Sequence, residues 1–179
     1  MEVPLDYVED REIYKKVIEN GLLKAARSAW IATANIKNIY IRHHGDYDTI
    51  VHVFETLLAR GVELRILHSS VPSESFLEAL KKTGICKNPL FQMQRCPRVN
   101  FKVVLIDGET IFLGSANLTG AGVGAKSDSR RNFEIGILTS DCGIIDRVEY
   151  YFDSIWQGRE CEGCGRKKVC PVPLERPDF

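Results

Sequence analysis

The chain contains no apolar run approaching the roughly 18 residues of a membrane span. It has no excess of either charge, since 24 Lys and Arg stand against 24 Asp and Glu. A protein coated in positive charge is thereby excluded. A local basic patch, which is what a nucleic-acid binder needs, is not. No internal repeat is visible. The start of the chain, Met1 to Glu12, is acidic and lacks a basic segment leading into an apolar core. No secretory leader is read there, and a cytoplasmic location with reduced thiols is expected. Histidine is scarce, with only His43, His44, His52 and His68.

What is present fits one domain with a short appendage. The 179 residues are 44% apolar and 27% charged, an ordinary globular composition. A chain of this size buries roughly two-thirds of its unfolded surface and needs no staples to fold. The expected division is a domain over 1–157 and a Cys-rich metal-binding tail over 158–179. Residues 9 to 27 read as an amphipathic helix, with Ile13, Val17, Ile18, Leu22 and Ala26 on one face and Lys15, Lys16 and Glu19 opposite. Strands are predicted at 29–34, 62–67, 91–94, 101–106, 110–113 and 133–138. The stretch 36–41 reads as a strand or an extended loop. Further helices are predicted at 46–60 and 73–82, each closed by a glycine, and at 141–156. Ser73 is the expected cap of the second of these. In the last, Ile144, Val148, Tyr151, Phe152 and Ile155 form a stripe. Residues 119–131, rich in small residues, read as a mobile loop. Strands mixed with helices on both faces give an α/β domain built on a mixed sheet.

The chemistry concentrates between 100 and 134. Asn100, Phe101 and Lys102 are followed by Asp107, then by Gly114, Ser115, Ala116 and Asn117, and later by Glu134. Alternation puts Phe101, Val103 and Leu105 on one sheet face and Asn100, Lys102, Val104 and Ile106 on the other. A tight turn at Asp107 and Gly108 would return Gly114, Ser115 and Asn117 to the strand start. A lysine, a hydroxyl and an amide then converge at one sheet end, which suits a phosphate. Glu134 would begin a neighbouring strand and could orient a side chain at position 100. A plain hairpin with a solvated Lys102 accounts for the same spacing.

The pattern resembles the phospholipase D superfamily signature His-x-Lys-x4-Asp-x6-Gly-Ser-x-Asn. Every fixed position matches except the first, where Asn100 stands for histidine. The stretch from Leu57 to Leu67 resembles the helix-to-strand unit that precedes the motif. The resemblance spans roughly residues 9 to 157. It implies attack on phosphorus by a histidine, a phosphohistidine intermediate, and no metal in the chemistry. Lys102 and Asn117 would bind the non-bridging oxygens, Ser115 would add a hydrogen bond, and Glu134 would hold the imidazole tautomer. Asp107, at the far tip, would shape the turn and support the site. With one motif per chain, the resemblance is to the small bacterial and Zucchini-type endonucleases, which work as homodimers sharing one active site.

Asn100 is the departure, because an amide neither attacks phosphorus nor shuttles a proton. It admits three readings: an engineered inactivating change, a native residue in a binding-only protein, or another histidine in its place. Among the histidines, His68 at a strand end is the best placed. The expected activity is nucleic-acid phosphodiester cleavage, on DNA or RNA, with the chain as written inactive. The alternatives are an inert nucleic-acid-binding pseudoenzyme and a lipid phosphodiesterase. Lys126, Arg130 and Arg131 in the loop, and Arg166, Lys167 and Lys168 in the tail, are the expected phosphate contacts.

Three of the six cysteines, Cys161, Cys164 and Cys170, have metal-ligand spacing. A fourth donor is required. Cys142 begins the last helix and the tail leaves its other end, about 22 Å away. Cys96 is therefore preferred, then Cys86. The spacing suits Zn²⁺ or a [4Fe–4S] cluster. It resembles the last three ligands of the cluster loop in DNA glycosylases of the endonuclease III type, whose first ligand would fall at Ser154.

Overall fold

The computed structural model describes residues 5–43 and 46–170, and of residue 43 only the backbone. His44, the His43 side chain, and the tail beyond Cys170 lie outside it.

Nine strands alternate with helices. They are β1 (Leu5–Glu9), β2 (Ser28–Thr33), β3 (Tyr40–His43), β4 (Asp46–Thr49), β5 (Glu63–His68), β6 (Phe91–Arg95), β7 (Lys102–Ile106), β8 (Thr110–Gly114) and β9 (Ile135–Thr139). The helices are α1 (Arg11–Ile13), α2 (Ile50–Ala59), α3 (Glu74–Thr83) and α4 (Cys142–Trp156). Seven strands form one sheet in the order β1-β9-β8-β7-β2-β5-β6, and β3 pairs with β4 in a separate ribbon. β2, β5 and β6 run parallel, whereas the pairings from β2 through β7, β8 and β9 to β1 are antiparallel. The sheet is mixed, as expected.

Period-2 alternation divides its side chains between two cores. On one face Ile31, Leu64, Ile66, Val104 and Ile106 meet Val17 and Ile18 and the apolar sides of α2 and α3. On the other Val103 and Leu105 meet Ile145, Phe152, Ile155 and Trp156 of α4. Each such buried side chain stabilises the fold by about 1.5–3 kcal/mol. Trp30 lies 5.2 Å from Phe152, centroid to centroid, and Arg65 caps the Trp30 ring at 4.6 Å. The expected α4 stripe is shifted: Ile145 and Trp156 are buried, and Tyr151 is exposed.

Three predicted elements differ. The helix expected over 9–27 is α1 running into a π-helical stretch, Tyr14–Glu19, and then a 3₁₀ turn, Leu22–Lys24. Asn20 N–H bonds Lys15 O at 3.0 Å, and the wider turn advances the buried face so that Ala25 is inside and Ala26 outside. Gly21 breaks the element instead of being tolerated in it. A Cβ there would sit 2.5 Å from Val17 O and 2.6 Å from Ile106 Cδ1. The helix expected from 46 starts only at Ile50, because Asp46–Thr49 pairs with β3 and Thr49, still extended, caps α2 by accepting from His52 N at 3.3 Å. Ser73 precedes α3, but its side chain makes no capping bond.

The 119–131 loop is tied down. Asn132 N bonds Ala121 O at 3.0 Å, Lys126 N bonds Gly120 O at 3.1 Å, and Val123 is buried. Among the described residues no helix is long and apolar enough to cross a membrane.

Candidate phosphodiester site

Register pairs Lys102 with Gly114, so the start of β7 and the end of β8 meet at one sheet edge. Gly114 is required there by packing. An added Cβ would lie 2.5 Å from the Phe112 ring and 2.6 Å from Ile135 O. Asn100 and Lys102 project together, as alternation implied. Lys102 Nζ donates to Asn100 Oδ1 at 2.9 Å and to its carbonyl oxygen at 2.6 Å. Asn100 is exposed and Lys102 half-buried.

Ser115 leaves β8 with its hydroxyl donating to a Glu134 carboxylate oxygen and accepting from Ile135 N at 3.2 Å. Asn132 Nδ2 donates to the other Glu134 oxygen at 3.0 Å. Glu134 is buried, and its backbone exchanges bonds of 2.9 and 3.0 Å with Asp10. Its hydrogen bonds thus go to Ser115 and Asn132, and it supports Ser115 rather than the side chain at position 100. Asn117 Oδ1 accepts from Ala34 N at 3.0 Å and Asn35 N at 3.1 Å. Its amide NH₂ keeps two donors that take no protein acceptor among the described residues.

Asp107 is not part of this cluster. It sits at the opposite end of β7, roughly 17 Å along the strand from the Asn100 end. There its carboxylate accepts from Ala26 N, Arg27 N and Ser28 N at 3.1, 2.7 and 3.0 Å. Burial pushes its carboxyl up, but the amides of Ser28, Arg27 and Ala26 outweigh that and hold it below its ordinary value. Asp107 pins the start of β2, in keeping with a supporting role and not with contact to a substrate.

Of the described histidines only His68 stands at the site end of the sheet, paired with Thr33 of β2. It is fully enclosed, with Nδ1 2.8 Å from Ser70 O. His52 lies on the exposed side of α2 between Asp48 and Glu55.

The basic residues divide. Arg131, expected to contact phosphate, pairs with Asp10 and lies 3.2 Å from Asp128, because the loop folds back on the α1 start. Arg130 and Lys126 are exposed. Arg166 lines a groove of about 670 Å³ together with Ser69, Arg98, Asn100 and Cys164. Lys167 lines an adjoining pocket and Lys168 neither. Arg98 borders both. Sequence reasoning missed it, although its position two residues before Asn100 was the available signal.

That adjoining pocket, about 180 Å³, is lined by Cys96, Cys161, Cys164 and Cys170. Cys86 packs instead against the α2–α3 core, where burial pushes its thiol up to about 11. Cys142 is exposed. Burial and the neighbouring thiols of Cys96, Cys170 and Cys164 raise Cys161. The Arg166 amide and Arg98 lower Cys164.

A family model described as cardiolipin synthase, PLD-like domain, matches residues 18–156. The chain belongs to this phospholipase D-like family. Cardiolipin synthase A of Pseudomonas putida is 33% identical over 110 residues, which cover 56% of this chain and 21% of that protein. The chain thus matches about a fifth of the length of this relative. Among solved structures, NucT from Helicobacter pylori superposes with a TM-score of 0.63 at 18% identity, covering 87% of this chain and 97% of NucT. The phospholipase D family member Nuc from Salmonella typhimurium gives 0.61 at 14% identity, covering 87% and 95%. The phospholipase D-like chain therefore has the superfamily's phosphodiesterase fold, at the size of those small proteins.

Proposed function

We propose that this phospholipase D-like chain is a nuclease-class protein that binds nucleic-acid phosphodiesters, and that Asn100 leaves it without cleavage activity. The observation that carries this reading is the assembled set of Lys102, Ser115, Asn117 and Glu134 around a missing nucleophile. A cation and an amide donor stand where a phosphate's non-bridging oxygens need charge and hydrogen bonds. Lys102, held against Asn100, marks where phosphorus would sit. Arg98 and Arg166 extend the positive path along the groove.

One motif supplies one nucleophile position, so a second copy is needed to complete the site as a two-fold homodimer. Near-complete coverage of small neighbours such as NucT and Nuc, against a fifth of a cardiolipin synthase, favours a nucleic-acid substrate over a lipid one. The chemistry itself needs no metal.

The test is Asn100→His assayed with EDTA on single- and double-stranded DNA, RNA and phospholipid vesicles. Cleavage of nucleic acid is expected. Turnover of phospholipid alone would replace the substrate class, and no turnover of any phosphodiester would leave the binding-only reading. That second reading is favoured by the bond from Lys102 to the Asn100 amide, which gives position 100 a settled non-catalytic partner.

A further inference from the structure

The segment after α4 is chain that little apolar packing holds. Over 159–170 no residue is buried, and its one regular element is a 3₁₀ turn, Arg159–Cys161. Fixing a residue's backbone costs about 1–2 kcal/mol, so twelve such residues need something other than a hydrophobic core. Hydrogen bonds reach it from the domain, from Arg98 Nη1 to Glu160 O at 3.2 Å and from Ser154 Oγ to Glu160 Oε1 at 3.2 Å.

The segment also brings three thiols to one place. Cys164 N bonds Cys161 O at 3.2 Å, with Gly163 at φ 73 turning the chain between them. Cys170 N bonds Arg166 O at 3.0 Å. The Arg166 amide points at Cys164 Sγ from 3.4 Å, the kind of contact that stabilises a sulfur carrying negative charge. Cys96, which directly follows β6 and whose N–H bonds His68 O at 2.8 Å, lines the same pocket.

We propose that Cys96, Cys161, Cys164 and Cys170 are the four thiolate ligands of a structural metal centre, Zn²⁺ or an iron–sulfur cluster, that fastens the tail to the segment between β6 and Asn100. Four thiolates leave no open position, so the centre is not catalytic. Arg98, Arg166 and Lys167 border the pocket and offset the net negative charge that four thiolates give either metal. No three donor side chains among the described residues already stand at ion-holding distance. One staggered χ1 step moves a cysteine sulfur by about 3 Å, so side-chain rotation brings the thiols that line this pocket closer together. The pocket, about 180 Å³, is many times the roughly 10–15 Å³ that one water-sized body takes, and it accommodates a cluster as readily as an ion.

The full chain, purified anaerobically, is analysed for metal and acid-labile sulfide. About one Zn per chain is one supporting result. About four Fe with matching sulfide and a visible absorption band is the other. Cys96→Ser and Cys164→Ser should each lose the metal, while the exposed Cys142→Ser keeps it. Should Cys96→Ser fail to fold, the parent chain treated with a strong chelator gives the same information: tryptic cleavage within 159–170 should accelerate at least tenfold once metal is removed. Metal-free protein whose four thiols react freely overturns the site, as does full metal retention by Cys96→Ser or cleavage unchanged by the chelator. None of these measurements depends on the nucleic-acid reading.

Discussion

At the tip of the β7–β8 hairpin, the Asp107 carboxylate accepts from the amides of Ala26, Arg27 and Ser28; at the open end, Lys102 Nζ bonds Asn100 and no other residue among those described. Both residues belong to one motif and flank one strand. At the tip the polar group is consumed by the fold, whereas at the open end its partner is another residue of the motif. Asn117 combines the two behaviours: its Oδ1 accepts from Ala34 N and Asn35 N, while its NH₂ takes no protein acceptor among the described residues. A motif spaced for catalysis is thus part scaffold and part site.

The largest effect that could sharpen this contrast is gain of activity. Asn100→His should raise nucleic-acid cleavage in EDTA by on the order of 10³-fold or more over the parent chain, the contribution of a nucleophile acting with positioned support. Lys102→Ala in that background should remove most of the gain. If Lys102→Ala left the rate unchanged, the open end would not be a phosphate site.

Next in size is stability at the tip. Asp107→Ala should cost about 2–3 kcal/mol, since it strands three amides that now bond a charged acceptor and places alanine at φ 57. The expected readout is a lowered Tm, with Lys102→Ala close to the parent. Asp107→Asn should cost less and should reveal the pH dependence. Folding depresses the Asp107 carboxyl. Its stabilisation is therefore complete above its unfolded value of about 4 and is lost as pH falls through the lower folded value. The Tm difference between the parent and Asp107→Asn should narrow on acidification below about pH 4. A constant difference across that range would contradict the charge-based account.

The fold was largely legible. Alternation along Phe101 to Ile106 correctly divided two cores, and the glycines at 61, 84 and 108 correctly marked turns, all with positive φ. What escaped depended on tertiary partners. No local pattern distinguishes a π turn from an α turn at Tyr14–Glu19; it forms where Gly21 must approach Ile106 closely. Asp46–Thr49 resembles the acidic first turn of a helix, and only its pairing with β3 makes it a strand. The site was legible as a set of groups but not as a set of bonds. Glu134 was expected to serve position 100 and instead holds Ser115, because the return of Asn132 past Ala121 sets its direction. Arg98 belongs to no motif, and only its closeness in sequence to Asn100 signalled the groove they share.

Binding gives a smaller effect. Lys102→Ala in the chain as written should weaken nucleic-acid binding by roughly tenfold, the worth of one charge-assisted phosphate contact. Salt should weaken parent binding steeply. Salt-insensitive binding would speak against phosphate as the ligand.

The smallest effect separates two adjacent arginines that sequence alone treats as equivalent. Arg131 pairs with Asp10 and Asp128 and lies over the Phe133 ring, 5.5 Å from its centroid. Arg130 is exposed, and its side chain makes no hydrogen bond or ion pair among the described residues. Asp10 also bonds the Glu134 backbone, so Arg131 acts on the fold around Ser115 instead of on a ligand. Arg131→Ala should therefore lower Tm and leave the salt dependence of binding unchanged. Arg130→Ala should leave Tm unaltered and reduce the slope of log K against log salt by about 0.9, the signature of one lost phosphate neutralisation. Because the two residues are neighbours in one loop, a general disturbance of that loop would affect both measurements in both variants. The crossed result, with stability lost in one and salt slope in the other, is specific to the division between scaffold and site.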